Sequence, residues 1–155
     1  MNLVRYYPRC FEVTLSTDTN IYASGDVLAD FQEITGFFRV AGDTATIHSV
    51  TVIDEDDQGT ALDLYVSRTG GTLGTENAAI SISDANAREV QVLAIVAAGD
   101  FVDTINNRIA TKIINPGLPV GGGASTSLWI GAVCRSGTPT YTASGLKLRI
   151  YATQH

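Results

Sequence analysis

The sequence lacks the clustered side chains that most catalytic and metal sites require. Its 155 residues include two histidines, His48 and His155, and two cysteines, Cys10 and Cys134. Zinc sites need such ligands close together, and a serine or cysteine nucleophile needs a positioned base. The Gly-x-Ser-x-Gly motif of hydrolases is absent. We therefore predict a protein that is not an enzyme and that uses no cofactor.

Long apolar segments are missing as well. No run approaches the ~20 apolar residues of a membrane-spanning helix, and the first residues lack the apolar core of a signal peptide. We expect synthesis and folding in the cytoplasm, without a membrane partner. Cys10 and Cys134 both lie in apolar contexts, so we expect two buried free thiols rather than a disulfide.

Charged residues are scarce, at 17%, and the net charge is −6. An acidic chain is a poor ligand for nucleic acid, so we exclude that partner. All 16 acidic residues precede residue 104, whereas five cations follow it. Two interpretations are open. Strands from both halves interleave and mix the charges, or an acidic face of one copy binds a basic face of the next.

What the chain does contain is alternation. Residues 47–66 form two β-branched, alternating runs around a turn at residues 54–59. Val50 and Val52 fall on one face of the first run, with Ile47, Ser49, Thr51 and Ile53 on the other. In the second run, Leu62, Leu64 and Val66 share a face. Such alternation predicts two strands, joined as a hairpin or as a corner between two sheets.

Similar patterns recur along the chain. They predict strands at residues 10–16, 33–40, 90–97, 108–115, 128–135 and 146–152, a short strand near residue 28, and one helical turn at residues 83–89, capped by Ser83. The strand at 33–40 points Phe37 and Phe38 to opposite faces, which places one of them at an interface. About nine strands indicate an all-β fold, an antiparallel β-sandwich of jelly-roll type. Residues 1–9 are expected to form an N-terminal arm and residues 10–155 a single domain.

The turn at residues 54–57 holds four consecutive carboxylates followed by Gln58 and Gly59. A calcium loop has oxygen ligands at positions one, three and five and glycine at six, but it also requires a glutamate at twelve, where this chain has Tyr65. We favour a solvated turn or a contact for a basic neighbour, with calcium as the alternative. Basic residues of another copy that fit this role are Arg135, Lys147 and Arg149. The candidate interface comprises Arg5, Tyr6, Tyr7, Asp56, Asp57 and Arg135.

Several blocks of the chain resemble small virion proteins of tailed bacteriophages, of the kind encoded near the major capsid protein. The resemblance runs from about residue 22 to residue 150 and is carried by residues 49–64 (SVTVIDEDDQGTALDL), 115–119 (NPGLP), 127–129 (SLW), 135–141 (RSGTPTY) and 146–149 (LKLR). It implies a capsid decoration (cement) protein with a jelly-roll fold and no enzymatic activity. Such a protein assembles as a homotrimer on the outer capsid surface, with the major capsid protein as its partner.

Two other functions fit the same fold. One is a structural component of the tail, baseplate or head fibre. The other is a carbohydrate-binding module that uses Trp129, Tyr141 or Tyr151 as a stacking platform.

Overall fold

Two antiparallel β-sheets pack face to face in the computed structural model, which describes residues 6–155. The five-stranded sheet contains, in spatial order, β1 (Tyr7–Leu15), β9 (Leu146–Gln154), β3 (Thr44–Asp54), β7 (Arg108–Gly121) and the short β6 (Val102–Asp103). The four-stranded sheet contains β2 (Val27–Ile34), β8 (Leu128–Cys134), β4 (Leu62–Ser67) and β5 (Val90–Val96).

The strand pairing is that of a jelly roll. Strand β1 pairs with β9, β2 with β8, β3 with β7 and β4 with β5, so the chain resembles one long hairpin wrapped into two sheets. Eight strands connected in this way are the defining feature of the jelly roll. The predicted fold class is confirmed, and β6 is a two-residue addition at the edge of β7.

The predicted helical turn is also present. Helix α1 (Asp84–Ala87) begins after Ser83, whose Oγ accepts a hydrogen bond of 3.2 Å from the backbone N–H of Asn86. A second single turn, of 3-10 type, covers Ala98–Asp100. In the described part of the chain, no helix has the length and apolar character needed to cross a membrane.

The stretch at residues 47–66 is a corner between sheets, because β3 and β4 belong to different sheets. Its first half departs from the predicted alternation. Ile47 is buried together with Val50 and Val52, since a bulge at His48 shifts the register between Ile47 and Ser49. Across this bulge, β7 continues to Gly121 instead of ending near residue 115 as predicted.

The strand predicted at residues 33–40 is wrong beyond Ile34. Phe37 and Phe38 lie in the connection to β3, and both are fully buried, so neither is at an interface. Their rings pack edge to face at 5.2 Å. The connection folds over the open end of the sandwich, where the Phe37 carbonyl accepts a 2.8 Å hydrogen bond from the Gln154 side chain.

The start of the chain differs from its prediction in two respects. Strand β1 already includes Tyr7, Pro8 and Arg9, which pair with residues of β9, so these residues belong to the sandwich and not to an arm. Residues 1–5 of the expected arm lie outside the described residues. Both cysteines are free thiols, but only Cys134 is buried; Cys10 is exposed because it points away from the core on β1.

Candidate interaction surfaces

The acidic turn at residues 54–57 begins with a buried carboxylate. Asp54 accepts hydrogen bonds from the backbone N–H of Gly59 at 2.7 Å and of Asp56 at 3.1 Å. Burial raises the pKa of the Asp54 carboxyl above its usual value, and these N–H donors act in the opposite direction. The side chain therefore closes the turn from inside.

The other three carboxylates contact three different segments of the same chain. Glu55 forms an ion pair with Lys147. Asp56 accepts a 2.8 Å hydrogen bond from the Thr142 N–H, and Asp57 accepts one of 2.7 Å from the Arg108 guanidinium. The carboxylates thus diverge, and residues 6–155 contain no group of three histidine, cysteine or acidic side chains arranged to hold a metal ion.

The basic residues of the second half are paired within the chain. Arg135 contacts Asp63 at 2.5 Å, Arg149 contacts Glu12 at 3.2 Å and Lys112 contacts Asp100 at 2.8 Å. The cause is topological: strands β7, β8 and β9 of the second half lie beside strands β1, β3 and β4 of the first half. Of the two interpretations of the charge distribution, the interleaved one describes the structure. The cations predicted to contact the acidic turn of another copy, Arg135, Lys147 and Arg149, have partners in their own chain.

The aromatic candidates at the start of β1 lie near the C-terminus. Tyr6 is 62% exposed, and its ring meets the His155 ring edge to face at 5.3 Å. Tyr7 is half-buried beneath the Arg39 guanidinium, which lies 4.1 Å from the ring centroid. Such stacking is a cation–π contact. Arg5 falls outside the described residues.

The candidate interface residues do not form one surface. Strands β3 and β8 end at the same end of the sandwich, so Asp56, Asp57 and Arg135 lie at that end, whereas Tyr6 and Tyr7 lie at the opposite end. Arg135 also donates a 3.0 Å hydrogen bond to the Tyr65 hydroxyl. An interface role for these residues stays a prediction, and it would involve two separate contacts.

The sequence reasoning missed a group of exposed aliphatic side chains on β6, on β7 and in the turn that joins these two strands. Val102, Ile105 and Ile113 are 65%, 85% and 74% exposed, and Ile109 is 37% exposed. Val102 and Ile109 are paired across β6 and β7. We call these four residues the apolar stripe. Its signal in the sequence is that residues 109–114 carry apolar side chains at both odd and even positions, so this strand cannot have a purely polar outer face.

The three aromatic residues considered for carbohydrate stacking lie apart. Tyr141 is buried. Trp129 packs near Gly70 on the four-stranded sheet, whereas Tyr151 is exposed on the five-stranded sheet. The three residues therefore do not form one platform, and carbohydrate binding through a single one of them stays a prediction.

Both histidines bind threonine hydroxyls on neighbouring strands. His48 Nε2 lies 2.8 Å from Thr153 Oγ1, and His155 Nε2 lies 2.9 Å from Thr46 Oγ1. A surface depression of about 310 Å³ adjoins His48 and also includes Cys10 and Tyr151. These contacts fit histidines that connect strands at one end of the sheet.

No protein-family model and no curated protein sequence matches the chain. Among solved structures, the T13 viral particle of infectious bursal disease virus shares 12% identity at a TM-score of 0.44, over 96% of this chain and 31% of that one. The VP2 subviral particle of the same virus shares 17% identity at a TM-score of 0.41, over 96% and 33%. The chain therefore spans about a third of the length of these structures.

Proposed function

We propose that this chain is a structural protein of a bacteriophage virion, and specifically a decoration protein that binds the outer surface of the capsid and stabilises the head. The resemblance of residues 49–64 and 115–149 to small virion proteins of tailed bacteriophages supports this role. The jelly-roll topology is the fold that the resemblance implies. The major capsid protein is the proposed partner.

The observation that carries the proposal is the apolar stripe. Its four exposed aliphatic side chains lie on two paired strands and the turn between them, and apolar groups concentrated on one part of a surface mark an interaction site more often than scattered ones do. Thr111 lies between Ile109 and Ile113 on β7, and its hydroxyl is 2.9 Å from that of Thr51. Apolar side chains interspersed with small polar groups are a usual composition of a protein-binding surface.

The remaining features are compatible with bracing a shell. Strands β3, β4, β7, β8 and β9 each pair with a strand on both sides, which gives a scaffold suited to that role. We expect a homotrimer on the capsid, because several linked copies convert modest individual contacts into avidity. The net charge of −6 keeps free copies away from packaged DNA.

The test is to add the purified protein to heads of the encoding phage that were assembled without it. We expect the protein to sediment with the heads, to raise their thermal disruption temperature, and to appear on the outer shell in cryo-electron micrographs. Density on the tail, baseplate or fibres instead of the shell would show that the decoration role is wrong. Failure to bind any part of the particle would reject the virion role.

A further inference from the structure

The outer edge of β1 is open. This nine-residue strand pairs with β9 on one side, and within residues 6–155 no strand pairs with its other side. A free edge exposes backbone N–H and C=O groups that can bind another strand. Which strand fits depends on the groups that are still available.

The direction of each group follows from its contacts. In an antiparallel strand the N–H and C=O of one residue point to the same side, and successive residues point to opposite sides. The Thr17 N–H donates to the Ala143 carbonyl, toward β9. The Ser16 N–H and the Thr14 carbonyl instead bind the side chain of Gln32, at the free edge. The even-numbered residues of β1 therefore face the open edge.

Some of these edge groups are already occupied or missing. The Gln32 side chain takes the Thr14 carbonyl at 2.9 Å and the Ser16 N–H at 2.6 Å. Pro8 has no N–H at all. The open groups are therefore the Pro8 carbonyl, both groups of Cys10 and Glu12, and the Thr14 N–H. This set is symmetric about Phe11.

We propose that β1 pairs antiparallel with β1 of a second copy, about a two-fold axis that passes at Phe11. In this register Cys10 lies opposite Glu12 of the second copy, and Pro8 lies opposite Thr14. Every open N–H then meets an open carbonyl. The N–H that Pro8 lacks would have faced the Thr14 carbonyl, which Gln32 already satisfies.

The neighbouring symmetric registers do not fit. A pairing centred on Cys10 places the Glu12 carbonyl opposite Pro8, where it finds no donor. A pairing centred on Glu12 sets two like carboxylates side by side and directs the Cys10 N–H at the Thr14 carbonyl that Gln32 occupies. Only the register centred on Phe11 uses all the groups that are open.

The pairing joins the five-stranded sheets of two copies into one continuous sheet. It is an isologous contact, because the same strand contributes on both sides. The apolar stripe lies on β6, β7 and the turn between them, at the opposite edge of the sheet, so both surfaces can be occupied together. The pairing does not depend on the capsid role, and it could connect neighbouring homotrimers.

Cysteine cross-linking of the full-length protein reads the register directly. Opposite residues of an antiparallel pair have Cα atoms about 4.5–5.5 Å apart, within the range that a disulfide spans. Each register predicts a different reactive pair: wild-type Cys10 with itself, Cys10 with Glu12→Cys, or Cys10 with Thr14→Cys. Each protein is oxidised at micromolar concentration and separated on a non-reducing gel, after circular dichroism confirms an unchanged β spectrum.

We expect a covalent dimer as the main product of E12C and no dimer from the wild type or T14C. The double variant C10S/E12C serves as the control, and it should lose the dimer because the bond joins position 10 to position 12. A dimer formed by the wild type, by T14C or by C10S/E12C would overturn the register. Absence of a dimer from every variant would overturn the pairing itself, whereas binding to phage heads would be unaffected.

Discussion

The rings of Tyr22 and Tyr141 lie 6.4 Å apart at one end of the sandwich, and their hydroxyl groups differ in hydrogen bonding. The Tyr22 hydroxyl accepts a 2.6 Å hydrogen bond from the Asp18 N–H and donates one of 3.1 Å to the Leu28 carbonyl. The Tyr141 hydroxyl is buried and makes no hydrogen bond of ordinary geometry among the described residues, although the Thr60 side chain lies close enough to oppose the rise of its pKa. Two side chains of the same type and similar burial therefore contribute differently to stability.

Replacing each tyrosine by phenylalanine should separate these contributions. Tyr22→Phe leaves the Asp18 N–H and the Leu28 carbonyl without their partner, which should lower the free energy of unfolding by about 1–3 kcal/mol. Tyr141→Phe removes a hydroxyl whose contact with Thr60 falls short of an ordinary hydrogen bond, so it should cost clearly less than Tyr22→Phe. Urea denaturation of the two variants measures the difference, and an equal loss in both would contradict the assignment.

The same pair predicts a loss of stability in alkali. Burial raises the pKa of both phenols above the ordinary value of 10.0, and for Tyr22 the Asp18 N–H opposes the shift while nearby acids add to it. Since the folded pKa is the higher one, the stabilisation is complete below pH 10 and is lost as the pH rises toward the folded value. The free energy of unfolding should fall above pH 10, and less steeply in Y22F/Y141F. Equal slopes in the two proteins would contradict this.

Strands and helical turns were predicted correctly where a short residue pattern alone decides the secondary structure. The alternation of Leu62, Leu64 and Val66 matches β4, and Ser83 caps the helical turn as expected. The failures occur where tertiary contacts decide. Phe37 and Phe38 have strand-like character, but both are buried in the connection that covers one end of the sandwich. The bulge at His48 depends on the pairing of β3 with β7.

Tertiary contacts also decide which residues the acidic turn of the candidate interface binds. Its position was evident from the sequence, but the partners of its carboxylates were not. Arg108 lies 51 residues beyond Asp57, and Lys147 lies 92 residues beyond Glu55. Only the pairing of β3 with β7 and β9 brings these residues together, so the turn could not be recognised as an intramolecular contact.

Gly145 should be intolerant of a side chain. A Cβ atom at this position would lie 1.6 Å from Asp56 Oδ2, so Gly145→Ala should displace the carboxylate from Thr142 and lower the free energy of unfolding by about 1–3 kcal/mol. Gly99→Ala is the control, because its Cβ would have no atom within 4 Å. Thermal unfolding measures both, and equal transition temperatures would contradict the close approach.

Asp56 and Asp57 should respond differently to substitution. Asp56→Ala removes the acceptor of the Thr142 N–H and should cost about 0.5–1.5 kcal/mol, because water can reach this exposed donor. Asp57→Ala breaks a partly exposed ion pair with Arg108, and such pairs contribute little. The protein should stay folded in both cases. Urea denaturation in parallel with the oligomer mass tests whether either acid also supports assembly; a larger loss of stability in D57A than in D56A would contradict the geometry.

The apolar stripe should be required for attachment to the capsid but not for folding. Ile113 is 74% exposed, so Ile113→Ser changes little in the core and should leave the unfolding transition in place, while it weakens binding to phage heads at least several-fold through the lost apolar contact. Ile95→Ser is the matched control, because Ile95 is 66% exposed on the other sheet. Sedimentation with heads across a range of protein concentrations measures both. If I95S loses binding and I113S retains it, the capsid contacts the four-stranded sheet instead of the stripe.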